Sequence, residues 1–424
     1  MSLALKLLQR VQDYPCEKLE LFGEKIVYGF GCDDERIEIA KRFGWKTRIV
    51  RSLSDISWLD IVFRRITISR TPSKQYFAKT SVEKWKRRFL RHFCDSIDRA
   101  VNICWLHEAL LLKHGDRTLF TVSTHVAQIY AAHLPGFKVL QVINEIAEDE
   151  LREVCFRLTK IGEKYVDKDE GVTVFANITT PLFIRAYRML HPNRKIILRF
   201  HDLIKTGEGM NQEEIVAFVD ALKRDGVIDE VESYDLTGAK ILGGKFRPNG
   251  IDPDFILGAD VPYRERLYYF SGTTKQQKTN ESSRLSSFFD VVEAVQTLYP
   301  NTNVWNVAKN HDSKEKWLPY VEFVKMSSRS EVYVDLYRID PNEGFSFRIP
   351  EALWLNRKII SNRSCLQKER FYSPERIFLI GVDPIERLRS FLETDIEPLS
   401  TEILQFYDTR LWWTKDDPAK EVYE

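Results

Sequence analysis

The chain has 424 residues, too many for one ordinary hydrophobic core, so two domains are expected. Its 43% hydrophobic and 29% charged content describes a globular protein, and a net charge of +1 supplies no overall field that would draw it onto nucleic acid. No apolar run approaches the roughly 20 residues that span a bilayer; the richest, Ala109 to Leu112, is flanked by Glu108 and Lys113.

The opening stretch, Met1 to Pro15, is amphipathic and lacks the long apolar block and small-residue cleavage site of a secretory signal. The six cysteines are scattered, with no metal-ligand spacing, and read as reduced thiols. Both features predict a cytoplasmic protein. Residues 25–30 read as a buried strand, 35–43 as a helix ended by Gly44, and 47–50 as a further strand, a βαβ opening. Gly29 and Gly31 lie in its first turn without the third glycine of a dinucleotide fingerprint. From Lys74 to Arg91, Tyr76, Phe77, Trp85 and Phe89 are interleaved with Lys79, Lys84, Lys86, Arg87, Arg88 and Arg91. Such a segment suits an anionic membrane surface, rings in the interface and charges near headgroups, and equally a solvated helix face. No nucleic-acid motif accompanies it.

Strands at 118–123, 138–143, 172–176 and 195–200 then alternate with helices at 149–161 and 180–190, and a short helix follows Thr124. This rhythm predicts a parallel sheet covered on both faces, with ligands gathering beyond the carboxyl ends of its strands. His125 and His201 fall at such ends; for a lone histidine the plainer reading is a hydrogen-bonded rim residue. After Asp252, residues 254–266 read as a hinge. A strand at 267–271 leads into the loop Gly272-Thr273-Thr274-Lys275, followed by a helix at 283–298, a strand at 303–307 and a helix at 320–326.

The richest stretch runs from Glu331 to Ser361. Val332, Val334 and Leu336 alternate as in a half-buried strand, and Asp340-Pro341-Asn342 ends it. Pro350 suits a helix start, Ala352, Leu353 and Leu355 give that helix a core face, and 358–360 form the next strand. Between strand and helix lies Glu343-Gly344-Phe345-Ser346-Phe347-Arg348. A glycine loop entering a helix presents free N–H groups and a positive dipole end, a natural seat for phosphate. Glu343 at the mouth and Glu351 in the first turn suit hydroxyls; the plainer reading leaves Glu343 solvated and Glu351 complementing the helix dipole. A strand at 376–380, a helix at 385–392 and a tail with Phe406, Tyr407, Trp412 and Trp413 complete the chain.

Glu343-Gly344-Phe345 followed by Glu351 resembles the two-glutamate motif of retaining GT-B glycosyltransferases, the family of glycogen and sucrose synthases and bacterial mannosyltransferases. Phe200-His201-Asp202-Leu203 is similar to a segment after a strand in that family's N-terminal domain. Arg247-Pro248-Asn249-Gly250-Ile251-Asp252 is similar to the segment closing it. The three matches keep the family's order and cover about 200–360; residues 1–195 rest on the α/β pattern alone.

The resemblance implies an α/β protein of GT-B type, two Rossmann-like domains with parallel sheets facing across a cleft. The expected divisions are 1–255 for the acceptor, 256–395 for the nucleotide-sugar, and 396–424 as a tail crossing back. It implies catalytic roles for His201 and Glu343. The donor contacts would come from Gly272, Thr273, Lys275, Gly344, Phe345, Ser346, Phe347, Arg348 and Glu351, and the acceptor side or cleft from His125, Asp202 and Asn249. The family's loop near 272 leads to an Arg and a Lys; here no Arg stands in the loop, so Lys275 or Lys278, aided by Arg348, would neutralise the diphosphate. Asp167-Lys168-Asp169 reads as a surface turn and Asp252-Pro253-Asp254 as part of the Asn-Gly turn, so neither a metal nor a cofactor is expected. The implied activity is sugar transfer from a nucleotide-sugar to a glycan or lipid-linked acceptor in cell-surface polysaccharide or lipopolysaccharide synthesis, with the anionic inner membrane surface as a partner through Lys74 to Arg91. Two alternatives stay open: a non-hydrolysing nucleotide-sugar epimerase, and a catalytically silent GT-B scaffold binding glycans or partners.

Overall fold

The computed structural model describes residues 26–29, 46–49, 66–68, 95–96, 110, 117–121, 124–141, 170–178, 180–201, 211–260, 265–273, 291, 293–300, 304–309, 319–336 and 344–418. The segment from Lys74 to Arg91 lies outside them, as do the helices expected at 35–43 and 149–161. In chain order, β1 (Ile26–Gly29), β2 (Lys46–Ile49), β3 (Ile66–Ile68) and β4 (Asp95–Ser96) come first. There follow β5 (Arg117–Thr121), α1 (Thr124–His133), β6 (Lys138–Gln141), β7 (Val172–Ala176), α2 (Pro181–Leu190), β8 (Lys195–Phe200), α3 (Gln212–Arg224), β9 (Glu230–Ser233), α4 (Leu236–Ile241), β10 (Lys245–Phe246) and α5 (Pro253–Ala259). The last part carries β11 (Glu265–Thr273), β12 (Val304–Lys309), α6 (Tyr320–Ser327), β13 (Ser330–Asp335), α7 (Arg348–Trp354), β14 (Lys358–Ser361), β15 (Ile377–Leu379), α8 (Arg387–Glu393) and α9 (Thr401–Gln405).

These strands form three parallel sheets, ordered β2-β1-β3-β4, β10-β9-β8-β7-β5-β6 and β12-β11-β13-β14-β15. Each is doubly wound by one rule: its first strand lies inside, its second on one flank, its third on the other. Such Rossmann-like sheets have a switch point between first and third strands, where a crevice opens at the carboxyl ends. Strands before residue 255 are therefore shared between two sheets, the first of them holding only β1–β4. The chain's contacts divide it into two compact units: 1–113, 143–168 and 182–192 form one, and 114–142, 169–181 and 193–424 the other. In the first unit α2 buries Phe183, Ile184, Tyr187 and Leu190 along one stripe, and the His191 ring stacks on Tyr187 and meets the Leu110 carbonyl at 3.0 Å.

The second unit holds the six- and five-stranded sheets. In the latter, Val332, Val334, Leu336, Ile360 and Phe378 pack on one side with Val295 and Leu388, while Tyr333, Ile359, Ile377 and Leu379 join Tyr320, Ile349 and Leu353 on the other. The alternation expected for β13 is present, but both its faces are buried, because β13 lies between β11 and β14 with helices on either side. The described part of the stretch read as a hinge belongs to two elements. Asp252 caps α5, its carboxylate accepting the Asp254 N–H at 3.1 Å with Pro253 in the first turn, and β11 begins at Glu265. Among the described residues no helix is long and apolar enough to cross a membrane.

Candidate functional site

The loop into α7 is fixed from beneath by charge. Asp335, at the carboxyl end of β13, accepts from Arg363 Nε at 2.7 Å, the Ser346 hydroxyl at 2.7 Å and Arg348 Nη1 at 3.3 Å. Arg363 also donates to the Gly344 carbonyl at 2.9 Å. Burial pushes the Asp335 carboxyl up, but the two guanidiniums and these hydrogen bonds outweigh it and hold it below its ordinary value. Arg348 is thus paired with Asp335 rather than held in reserve for a diphosphate. Gly344 has φ +63°, and a Cβ there would stand 2.7 Å from the Tyr234 ring. Only glycine lets the loop turn so closely over the carboxyl end of β9.

The six-stranded sheet contributes the opposite wall. Asn177, in a left-handed conformation just after β7, accepts the His201 N–H at 2.9 Å and so fixes the backbone beyond β8. The His201 and Phe347 rings both pack edge-on against Tyr130, each at 5.9 Å between centroids. Tyr130 in turn accepts from Arg199 Nε at 3.1 Å. Arg199 spans to the carbonyls of Arg247 and Pro248 and to Asn249 Oδ1, and Asn249 Nδ2 donates to the Phe345 carbonyl at 3.0 Å. Asn249 is accordingly a buried bolt holding the loop, not a residue lining a cleft.

Glu351 departs furthest from the sequence reading. It is fully buried, and its Oε1 accepts the Tyr320 hydroxyl at 2.5 Å. The Tyr320 oxygen lies 2.5 Å from His133 Nε2, and His133 Nδ1 accepts the Asp252 N–H at 3.2 Å. That last bond leaves the imidazole proton on Nε2, so the series runs one way: Asp252 N–H, His133, Tyr320, Glu351. Burial lifts the Glu351 carboxyl to about 7, against the pull of Tyr320 and Arg348, and pushes His133 down to about 3. The hydroxyls expected around Glu351 are thus represented by a protein hydroxyl.

Gly272 and Thr273 pair with Ala308 and Lys309 as the last residues of β11, so they extend the strand rather than forming its loop. His125 is the second residue of α1. Glu343, Asp202 and Lys275 lie outside the described residues. Sequence reasoning missed Asp335, Arg363, Tyr320, His133 and Arg199. A charged residue closing an apolar strand, as in VYVD, was the available signal for Asp335.

No family model matches the chain, and no curated protein does. The crystal structure of HepE from Anabaena in complex with UDP is similar to it over 69% of this chain and 93% of that one, at 12% identity and a TM-score of 0.38.

The tail closes the second unit. Trp412 and Trp413 pack with Leu119, Val174 and Ile197 of the six-stranded sheet, and Ile251 bridges in parallel to Asp408. Arg247 binds Asp417 through both terminal nitrogens, at 3.0 and 2.7 Å, and Glu232 through Nε at 2.9 Å. Trp413 donates to the same Glu232 oxygen at 3.0 Å.

Proposed function

We propose that the chain is a GT-B-type glycosyltransferase that moves a sugar, with retention, from a nucleotide-sugar to a glycan or lipid-linked acceptor. The observation that carries this reading is the meeting of His201 and the 344–347 loop on Tyr130. One comes from beyond β8 of the six-stranded sheet, the other from beyond β13 of the five-stranded sheet. Two doubly wound sheets that bring their carboxyl ends to one place form the setting in which a nucleotide and an acceptor meet. In this reading His201 and Glu343 act at the sugar, Gly344 to Phe347, Lys275 and Glu351 hold the donor, and His125 and Asp202 stand on the acceptor side. The loop amides would stabilise the departing diphosphate as its charge grows. Neither a metal nor a cofactor enters this scheme. The polysaccharide or lipopolysaccharide pathway, a cytoplasmic site of action, contact with an anionic membrane through Lys74 to Arg91, and the division at 255/256 belong to the same proposal.

A silent scaffold is the second reading, favoured by the internal commitment of Glu351 to Tyr320 and of Arg348 to Asp335. Thermal-shift and transfer assays with UDP-, GDP-, ADP- and CMP-sugars separate the two. We expect one donor to stabilise the protein and to be turned over. His201→Ala should lower turnover more than donor affinity, by about 2–4 kcal/mol in transition-state stabilisation. Binding without turnover under any acceptor condition favours the scaffold; no binding across the panel overturns the nucleotide-sugar reading.

A further inference from the structure

The hydrogen-bond series ending at Glu351 has a fixed polarity, and that polarity constrains the carboxyl. With the Asp252 N–H on His133 Nδ1, the imidazole is a donor at Nε2, and Tyr320 must spend its single proton on Glu351 Oε1. The series cannot reverse, because a proton on Nδ1 would face the Asp252 N–H. Oε1 is therefore an acceptor whether Glu351 is ionised or neutral, and a proton taken up by Glu351 can sit only on Oε2. Among the described residues, Oε2 is buried and meets no hydrogen-bonding partner. It is the oxygen of this carboxyl not already committed within the described fold.

We propose that Tyr320 and His133 are positioning residues for Glu351, holding Oε1 as a permanent acceptor and confining both proton uptake and ligand contact to Oε2. This rests on reading Glu351 as a nucleotide contact on the donor side. The ligand group is a hydroxyl, which accepts from a protonated Oε2 and donates to an ionised one, the second being the stronger bond. His133 is the last residue of α1 and Tyr320 the first of α6, so both act on Glu351 from outside its own helix. The titratable and charged groups around the carboxyl are Tyr320 on α6, Tyr333 and Asp335 on β13, Arg348 on its own helix, and His133 beyond Tyr320. Asp335 and Arg348 are paired with each other, so Tyr320 is the hydrogen-bonding neighbour that responds directly to the state of Glu351.

The first test needs no ligand. Melting temperature is followed from pH 4 to 9 for the wild type, Glu351→Gln and Tyr320→Phe. The folded chain holds a proton on Glu351 up to about 7, whereas the ordinary value is 4.5. This carboxyl therefore contributes stability that is present in full below pH 4.5 and is lost as pH rises through about 7. Relative to Glu351→Gln, the wild type should melt progressively earlier across that window; the His133 contribution is common to both and cancels. Tyr320→Phe keeps the ring and removes the hydroxyl that favours the ionised carboxyl, so its loss should run to a pH higher by about one unit. His133→Phe, which keeps a ring against Phe347 but cannot polarise Tyr320, should move it the same way by less. The second test is UDP, GDP, ADP and CMP affinity over the same pH range. For the nucleotide that binds, the pH profile should shift in Tyr320→Phe by the amount seen in melting and should be flat in Glu351→Gln. An unchanged melting profile in both Tyr320→Phe and His133→Phe overturns the positioning role. A shifted melting profile with an unshifted binding profile overturns its link to the ligand. Should no nucleotide bind the wild type, the donor-site reading fails, and with it the ligand half of this proposal, while melting still decides the control of Glu351.

Discussion

At the residue scale, Gly344 shows how one position joins two sheets. Its φ of +63° is strained for any other residue, and the Tyr234 ring occupies the space a Cβ would need. Gly226 provides an internal control, since it shares a positive φ of +64° but has nothing within 4 Å of its Cβ direction. Gly344→Ala should therefore destabilise the protein by about 1–3 kcal/mol for the backbone alone, and by more than Gly226→Ala because Tyr234 must move. Urea unfolding of both variants checks this; equal losses would mean that the Tyr234 contact has no energetic weight. The sequence makes Gly344 visible through its place between a strand and a helix. It does not reveal Tyr234, more than a hundred positions earlier, because contacts between distant segments leave no local periodicity. The same holds for Glu351. Its acidity and its place in the first turn of a helix are legible, but its burial depends on Tyr320 and His133, which arrive from other elements.

At the element scale, legibility follows from how local the determining physics is. Strands β7 and β8 are mostly apolar, broken only by Thr173 in β7 and by Lys195 and Arg199 in β8, and the structure keeps their bounds because a strand buried on both faces is specified largely by its own composition. Helix α3 was equally legible in principle: Asn211 and Glu214 form a reciprocal capping box, with side chain to N–H distances of 2.9 and 2.8 Å, ahead of the stripe Ile215, Phe218, Val219 and Leu222. No element is expected from the sequence between Asp202 and Arg247, although asparagine with glutamate three residues later is the signature of a helix start. Helix α5 was hidden differently. Asp252-Pro253 is an ordinary cap followed by a first-turn proline, but the surrounding polar residues read as a connector. Because the cap of α3 is exposed and local, Asn211→Ala should cost only about 1 kcal/mol. It should leave the Tyr320–Glu351 contact intact, so the melting difference between wild-type and Glu351→Gln backgrounds should persist in its presence. Loss of that difference would mean that α3 is coupled to the site through contacts outside its own face.

At the scale of the whole molecule, three sheets repeat one winding order, and the second and third are fastened together by segments far apart in sequence. The RPNG stretch after β10 holds the loop before α7 through Asn249, and it is itself held by the tail through Arg247. Burial pushes the Arg247 guanidinium down, yet Glu232 and Asp417 more than offset this, and its pKa is raised. The pair of carboxylates makes the tail's attachment electrostatic as well as aromatic, since Arg247 also lies over the Trp412 and Trp413 rings at 5.4 Å from each centroid. Arg247→Met keeps most of the stem and removes the charge. It leaves Glu232 and Asp417 buried with their principal cation gone; Arg199, 3.6 Å from Glu232, reaches only one of them. Breaking a buried pair from one side costs about 3–5 kcal/mol, and that loss should appear in urea unfolding. Adding Asp417→Asn to Arg247→Met should return part of it, because the second change removes a carboxylate that has lost its partner. Trp413, whose indole N–H donates to Glu232 and whose backbone N–H donates to Asp417, should report the same event as a red shift in fluorescence when the tail lifts. If Arg247→Met costs less than about 1 kcal/mol, or the second substitution only adds to the first, the tail is held by its tryptophans and the buried charges contribute nothing to that attachment.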